Sequence, residues 1–456
     1  MAYRTVIQIE NVTTQYEDYK YRTPIKFGGV ALDRVTLLNV NVDVSTADGR
    51  RMRGFGSMPL GNVWSFPSRV MTYEQTLAAM KDVAEAVAEI MRQCPHAAHP
   101  IDLTWDMEPA FFHAAEDISK KLGTADPIPR LCTLVAASPF DAALHDAYGK
   151  LHGLSSYQTY SSQYLAYDLS HYLGHDFKGE HLDRYVLAKP RASMPLYHLV
   201  GALDPLEAAD VAVPVGDGLP ETLGQWIEYN GLTHLKIKLN GSDLGWDVDR
   251  VLRVDRVAGE TQRSRGVKSW WYSLDFNERC PDVGYLLEFI HRVKERNPAA
   301  FSRVQYIEQP TARDLKANPQ QRVHEASKML PVVIDESLLD LESLLLAREM
   351  GYTGVALKAC KGQTQSLMMA AAAQKHGMFL CVQDLTCPGA SFIHSAGLAA
   401  HIAGVAAIEG NGRQYVPAAN RQWEDRFAAL FKITDGMVDT SVLTGQGLGA
   451  VPAAST

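Results

Sequence analysis

The chain has 456 residues, 46% of them hydrophobic and 21% charged, which is enough for two or three domains and a large core. A formal net charge of −8 carries no basic footprint for nucleic acid, and no apolar run approaches the length of a membrane span. Residues 1–20 lack the apolar core of a signal peptide, and the six scattered cysteines show no metal or disulfide framework, so the expectation is free thiols in a reducing cytoplasm.

In chain order, VIQIENVT and VALDRVTLLNVNVDVST alternate apolar with polar residues and are punctuated by ADGRR, which predicts an antiparallel meander. Two helical stretches follow, YEQTLAAMKDVAEAVAEIMRQC and PFDAALHDAYGKLHG, the second stopped by Gly153. Together they describe an α+β domain over 1–190. Its last part, 155–190, is rich in tyrosine and histidine and reads either as an inserted helical excursion or as a lid over a site. From residue 191 to 419 the pattern becomes strand and helix in alternation. Strands are predicted near 194–202, 233–239, 270–276, 303–308, 331–335, 354–358, 378–383 and 405–409, enough for a complete (β/α)8 barrel. The turn-rich tail, 420–456, is expected to return to the first domain.

The chemistry gathers at the ends of those strands. Lys238, Asp275, Glu308, Asp335 and Lys358 close successive runs at intervals of 23 to 37 residues, about one strand-helix unit each. Asp275, Glu308 and Asp335 offer three hard oxygen ligands without histidine or cysteine, which suits octahedral Mg²⁺, with Mn²⁺ as a substitute. Lys236 and Lys238 are two apart on one strand and therefore share a face, the barrel interior. Two ammonium groups that close are expected to lower a lysine pKa and make a base near neutral pH. Lys358 falls four strands further on, across the bound ligand. Removing a proton α to a carboxylate concentrates charge on the carboxylate oxygens, and a divalent cation beside two opposed bases answers that demand.

These residues resemble, in order, the mandelate racemase and muconate lactonizing enzyme branch of the enolase superfamily. The resemblance rests on the Lys-x-Lys of LKIKLN, the aspartate of LDFNE, the glutamate of YIEQP, IDES, the lysine of ALKACKG, and the helix SPFDAALHDAYGKLHG. It implies a modified TIM barrel, an α+β capping domain built from the N-terminal region and the C-terminal tail, bound Mg²⁺, a small-molecule carboxylate substrate and a homo-oligomer. Carried over, Asp275, Glu308 and Asp335 are the metal ligands and Lys238 and Lys358 the acid/base pair, of the muconate lactonizing type. Lys236 contacts the substrate carboxylate or depresses the pKa of Lys238, and Asn277 and Glu336 stand behind these groups. The loops YKYRTPIKFGG and FGSMPLGNVWSF correspond to the two that cover the substrate, making Tyr21, Arg22, Met58 and Trp64 candidates for specificity.

Three features depart from the pattern. The seventh strand ends CVQDLTCPG, which leaves Gln383 and Asp384 without an assigned role. The eighth ends IEGNGRQY and lacks the Asp-x-Asp of dipeptide epimerases, while Glu409 reads either as a group bonded to the substrate or as a rim charge. The stretch RVAGETQRSRGVKSWWYSLD is long and either rims the site or decorates the surface. The expected reaction is racemisation or epimerisation through an enediolate, with dehydration of a hydroxy acid or acid sugar and cycloisomerisation as alternatives through the same intermediate. A silent, ligand-binding relative is the remaining alternative.

Overall fold

A computed structural model describes residues 6–27 and 30–450; the ends of the predicted meander and tail, and part of YKYRTPIKFGG, lie outside them. β1 (Gln8–Phe27), β2 (Val30–Ser45) and β3 (Arg51–Pro59) form the expected antiparallel sheet in that order. On β2 the alternation puts Val40, Val42 and Val44 inside, as a strand with one buried face requires. The first hairpin is longer than predicted. Residues 19–27, expected as a loop, continue β1, pairing Ile25 with Leu32 and Phe27 with Val30 after a register shift beyond Lys20.

Three helices cover this sheet: α1 (Tyr73–Arg92), α2 (Pro100–Leu122) and α3 (Arg130–His152). α1 starts in a capping box between Thr72 and Gln75, and α3 stops at Gly153, whose φ of 67° few other residues accept. α3 lies unusually close to β3. A Cβ on Gly54 would fall 1.9 Å from the Ala143 carbonyl oxygen, and one on Gly56 1.9 Å from that of Pro139. Its buried acids join separate parts of the chain. Asp141 accepts from Thr104 Oγ1 (2.9 Å), Thr364 N (2.7 Å) and Thr364 Oγ1 (2.8 Å), while Asp146 accepts from Phe55 N (2.8 Å) and Leu448 N (2.9 Å). Cap sheet, barrel helix and C-terminal tail thus meet on one helix.

Eight parallel strands follow: β4 (Ser193–Val200), β5 (His234–Lys238), β6 (Trp271–Asp275), β7 (Val304–Glu308), β8 (Val332–Ile334), β9 (Gly354–Leu357), β10 (Phe379–Val382) and β11 (Val405–Glu409). β11 pairs back onto β4 through Ile408 with Leu196 and Glu409 with Tyr197, which closes the barrel. A short β12 (Met437–Asp439) adds antiparallel to the start of β4, and the tail beyond it bridges to Ser155 through Gly447. The barrel floor is a layer of inward side chains, Tyr197, Tyr306, Val333, Ala356, Cys381 and Ala407. The next inward residue on most of these strands is charged or an amide, so the functional groups form one tier above an apolar base.

Two segments resolve by location. Residues 155–190 are short helical turns packed against α2, α3 and the barrel helix Gln363–Lys375, with Tyr160 bonded to His145, Tyr172 to Asp102 and Gln374 to the Tyr185 carbonyl. They buckle cap to barrel from the side. The connection before β6 runs from the end of helix Leu244–Ser264 into the start of a strand, hence at the barrel end opposite the strand tips, and does not rim the site. No helix of the described residues is long and apolar enough to cross a membrane, and the six cysteines are free and buried.

The approach of α3 to β3 makes a direct prediction. Gly56→Ala is expected to cost about 3 kcal/mol, because the obstacle is backbone and cannot rotate away. A urea midpoint equal to that of the unaltered protein would contradict this packing.

Candidate active site

Register sets the height of the charged tier. Lys238 pairs with Asp275, Asp275 with Glu308, and Glu308 with Val333, two residues before Asp335. Side chains from neighbouring strand tips therefore converge. Lys236 lies one inward position lower and reaches three of them: its Nζ donates to Glu308 Oε1 (3.0 Å) and Glu409 Oε2 (3.0 Å) and stands 3.2 Å from Asp275 Oδ2. Lys238 Nζ contacts Asp275 and donates to Asn277 Oδ1 at 2.9 Å. Lys358 Nζ is 2.9 Å from Asp335 Oδ2 and 4.4 Å from the centre of the Trp64 ring.

The loops that carry these groups are strained. Asn277, Glu278, Gln309 and Thr386 have positive φ, and they follow β6, β7 and β10, where such strain is held in place by its surroundings. Asp275 Oδ1 accepts from Asn277 N at 2.7 Å, and Gln309 Oε1 accepts from Asp335 N at 3.0 Å, so the turns and the strand-tip acids position one another.

The sequence reading left several roles open, and their surroundings now define them. Gln383 donates to Tyr306 OH (3.2 Å) and to Glu308. Asp384 accepts from the backbone of Thr386, Cys387 and Asn411 and from the Asn411 side chain at 3.0 Å, a bracket for the β10 and β11 loops. Glu409 is 2% exposed and shared by Lys236 and Asn411, which removes the rim-charge reading. Trp64 Nε1 donates to Glu336 Oε1 at 3.0 Å, and Glu336 also takes a long contact from Asn277. Tyr21 packs against Tyr415, and buried Met58 meets Cys387 Sγ at 3.7 Å.

Arg22 lies elsewhere. Its guanidinium is held by Asp217 (2.6 and 3.0 Å) and the Leu219 carbonyl, beside a 350 Å³ cavity under the loop after β4. Two participants were missed. Lys361 is fully enclosed and donates to the Asp335 and Leu338 carbonyls, and Asn411 ties Glu409 to Asp384. The Lys-x-x-Lys of ALKACKG was the signal for the first; nothing marked the second.

The electrostatics correct one expectation. Repulsion between Lys236 and Lys238 was expected to lower a lysine pKa, yet Lys236 is raised well above the usual value. Burial pulls it down, but Glu308, Glu409 and Asp275 outweigh that. Lys358 is likewise raised, against burial, by Asp335. The reason is proximity: each ammonium group lies nearer to carboxylates than the two-residue spacing alone suggests.

Six buried carboxyl groups (Asp275, Glu308, Asp335, Glu336, Asp384 and Glu409) meet four buried lysines (Lys236, Lys238, Lys358 and Lys361), a formal excess of two negative charges. The excess is felt as proton affinity. Burial, then the neighbouring Asp275, pushes Glu308 up; burial with Asp335 raises Glu336 to about 7, and burial with Glu409 raises Asp384 to about 7. Asp275, despite burial, is held low by Lys238 and Lys236. Among the described residues no three His, Cys, Asp or Glu side chains are arranged to grip an ion as they stand, because the ammonium groups engage the same oxygens. The donor set nevertheless fits a hard divalent cation, being all oxygen and two charges in excess.

One cavity adjoins this tier, a 530 Å³ space lined by Trp64, Phe66, Met71 and Tyr73 on the cap side and by Asn277, Arg313 and Glu336 on the barrel side. Arg313 is fixed by a forked pair with Glu278 and donates to the Trp64 carbonyl at 3.1 Å.

Comparisons with known proteins agree with this architecture. A family model described as enolase C-terminal domain-like matches residues 219–455. Among solved structures, a muconate lactonizing enzyme from Pseudomonas fluorescens complexed with muconolactone is 17% identical, covering 98% of this chain and 97% of that one, with a TM-score of 0.61. An enolase from Bradyrhizobium complexed with magnesium and mandelic acid is 17% identical over 99% of this chain and 97% of that one, at a TM-score of 0.63. A dipeptide epimerase from Enterococcus faecalis complexed with Mg and a dipeptide is 15% identical over 97% and 99%, at 0.60. No curated protein matches the chain.

The raised carboxyl of Asp384 predicts a pH effect. Its folded value, about 7, exceeds the ordinary 3.8, so the folded protein holds a proton that the unfolded chain releases. Its stabilising contribution is complete below pH 3.8 and is lost as pH rises toward 7. Asp384→Asn is expected to flatten that part of the stability profile; a slope identical to that of the unaltered protein would contradict the assignment.

Proposed function

The chain belongs to the enolase C-terminal domain-like family, in the mandelate racemase and muconate lactonizing branch of the enolase superfamily, and on that premise we propose a racemase or epimerase of carboxylate substrates. The observation that carries the reading is the placement of two lysines, Lys238 ending β5 and Lys358 following β9, four strands apart around an eight-stranded barrel.

Asp275, Glu308 and Asp335 are the residues that would hold Mg²⁺, or Mn²⁺ in its place. When bound, such a cation supplies positive charge beside the substrate carboxylate, where the enediolate concentrates negative charge. The remaining steps belong to the lysines. One, as the neutral amine, takes the α-proton onto Nζ; the other, as ammonium, returns a proton to the opposite face of the same carbon. For the mirror substrate the roles exchange. Lys236 sits below and between them and donates to a substrate carboxylate oxygen, with Glu409 and Glu308 keeping it charged. Gln383 holds Glu308, and Asn277 and Glu336 fix the neighbouring side chains. The body of the substrate extends into the space that Trp64, Phe66 and Met71 share with Arg69, Arg279 and Arg313.

Incubation with Mg²⁺ in D₂O and a library of acid sugars, amino acids and N-acyl amino acids tests the reading. α-Deuteration with loss of optical rotation is expected, together with a fall of about 10²-fold or more in Lys238→Ala and Lys358→Ala. Exchange is also expected to stop on removal of metal by EDTA and to return with Mg²⁺. Undiminished exchange in both variants, or in the metal-free protein, would contradict the assigned roles, and release of water without exchange back to substrate would favour a dehydratase.

A further inference from the structure

The cavity between cap and barrel begins beside the reacting groups. Asn277, which lines it, accepts from Lys238 Nζ at 2.9 Å, and the ring of Trp64, which also lines it, is centred 4.4 Å from Lys358 Nζ. Arg69 from the cap and Arg279 from the loop after β6 line the same space and are both exposed, so they stand where it opens to solvent. The charged groups lining it are the guanidinium groups of Arg69, Arg279 and Arg313 and the carboxyl groups of Glu278 and Glu336, a formal excess of one positive charge. That runs against the chain's net charge of −8 and against the two negative charges in excess in the tier below. Arg313 and Glu278 cancel within their fork, and buried Glu336 accepts from the Trp64 indole at the inner end. The positive excess therefore falls at the outer end.

Both arginines stand on fixed backbone. Ser68 Oγ accepts from Val70 N (3.2 Å) and Met71 N (2.9 Å) and donates to Asp126, which pins the turn that carries Arg69. Arg279 follows two residues of positive φ, Asn277 (44°) and Glu278 (59°), and donates its own N–H to the Phe276 carbonyl at 3.1 Å. It packs so closely on Gly241 that a Cβ there would fall 2.6 Å from the Arg279 carbonyl carbon. Strain of this kind persists only where the surroundings over-determine it. We propose that the substrate carries a second oxyanion, a carboxylate or a phosphate, at the end remote from its reacting carbon, and that Arg69 and Arg279 hold it from the cap side and the barrel side. This rests on the carboxylate-substrate reading above and narrows its class to acids charged at both ends. A guanidinium presents five donors in a planar fork, so one engaged through part of it still has N–H groups for a planar or tetrahedral oxyanion. With one end of the substrate on the tier and the other on the arginines, the α-carbon takes a single orientation between Lys238 and Lys358.

Calorimetric titration with Mg²⁺ present tests this on N-acetyl amino acids that differ at the far end. Aspartate, glutamate and 2-aminoadipate supply a carboxylate on spacers of graded length, and O-phosphoserine and O-phosphohomoserine a phosphate. Asparagine and glutamine supply the matched neutral amide, and lysine, acetylated at its α-nitrogen, an ammonium group. An anionic member is expected to bind about tenfold or more tighter than its amide counterpart, as charge-assisted hydrogen bonds require, and the better of carboxylate and phosphate identifies the oxyanion. Arg69→Met and Arg279→Met, which keep the stems, are each expected to remove most of that preference while leaving the amide member's affinity unchanged. Arg69→Glu is expected to turn the preference toward the ammonium member. Binding without preference for a second anion, no binding of any anionic member, or equal losses for anionic and amide members overturns the proposal. In D₂O the same variants are expected to raise KM for the anionic member about tenfold with kcat nearly unchanged. Exchange that ignores the far-end charge sinks the oxyanion site and leaves the racemase or epimerase reading standing. A charge preference in binding, lost in the arginine variants but accompanied by no exchange in any member, sinks that reading and leaves the oxyanion site as a binding site.

Discussion

The ammonium group of Lys236 lies at the centre of the molecule in a chemical as well as a geometric sense. It touches Asp275, Glu308 and Glu409, from β6, β7 and β11, and the last of these contacts depends on the closure of the barrel between β11 and β4. Charges so deeply buried are costly unless each has a partner, and removal of one partner leaves the others exposed to that cost. The tier of strand-tip residues therefore behaves as one unit. Its lysines keep the carboxyl groups from repelling one another apart, and the proposed cation site rests on the two negative charges left over.

The cap depends on the same economy of buried polar groups. α3 would be an ordinary core helix but for Asp141 and Asp146, whose carboxylates collect backbone and side-chain donors from the barrel helix after β9, the start of the cap and the returning tail. Gly54 and Gly56 let the helix come close enough for those bonds to form. The result is a cap that cannot shift without disturbing the turn that carries Trp64, so cap packing and site geometry are linked through few residues.

Much of the fold was legible because strands and helices alternate with clean punctuation. All eight barrel strands fall within two residues or so of the expected spans, and the acids and lysines at their ends stand where a parallel register must put them. What the sequence could not convey was distance. Two lysines at i and i+2 suggested mutual repulsion, but the identity of their nearest neighbours, carboxylates and the Asn277 amide, depends on other strands of the chain. The hairpin arm was read as a loop because Pro24 and the Gly28-Gly29 pair suggest turns, yet cross-strand pairing to Leu32 and Val30 carries the strand through. Arg22 was placed at the substrate by analogy of position; Asp217, nearly two hundred residues away, holds it elsewhere. Lys361 was overlooked although the Lys-x-x-Lys of ALKACKG marks it, and nothing in the sequence marked Asn411, whose partner Asp384 follows the neighbouring strand.

In the proposed function, one divalent cation at Asp275, Glu308 and Asp335 would complete the tier's excess negative charge. Calorimetric titration of the metal-free protein with Mg²⁺ tests this most directly, compared with Glu308→Gln. Saturable binding of one ion per chain, lost in the variant, is the predicted result. Absence of binding, or binding indifferent to Glu308→Gln, would contradict it.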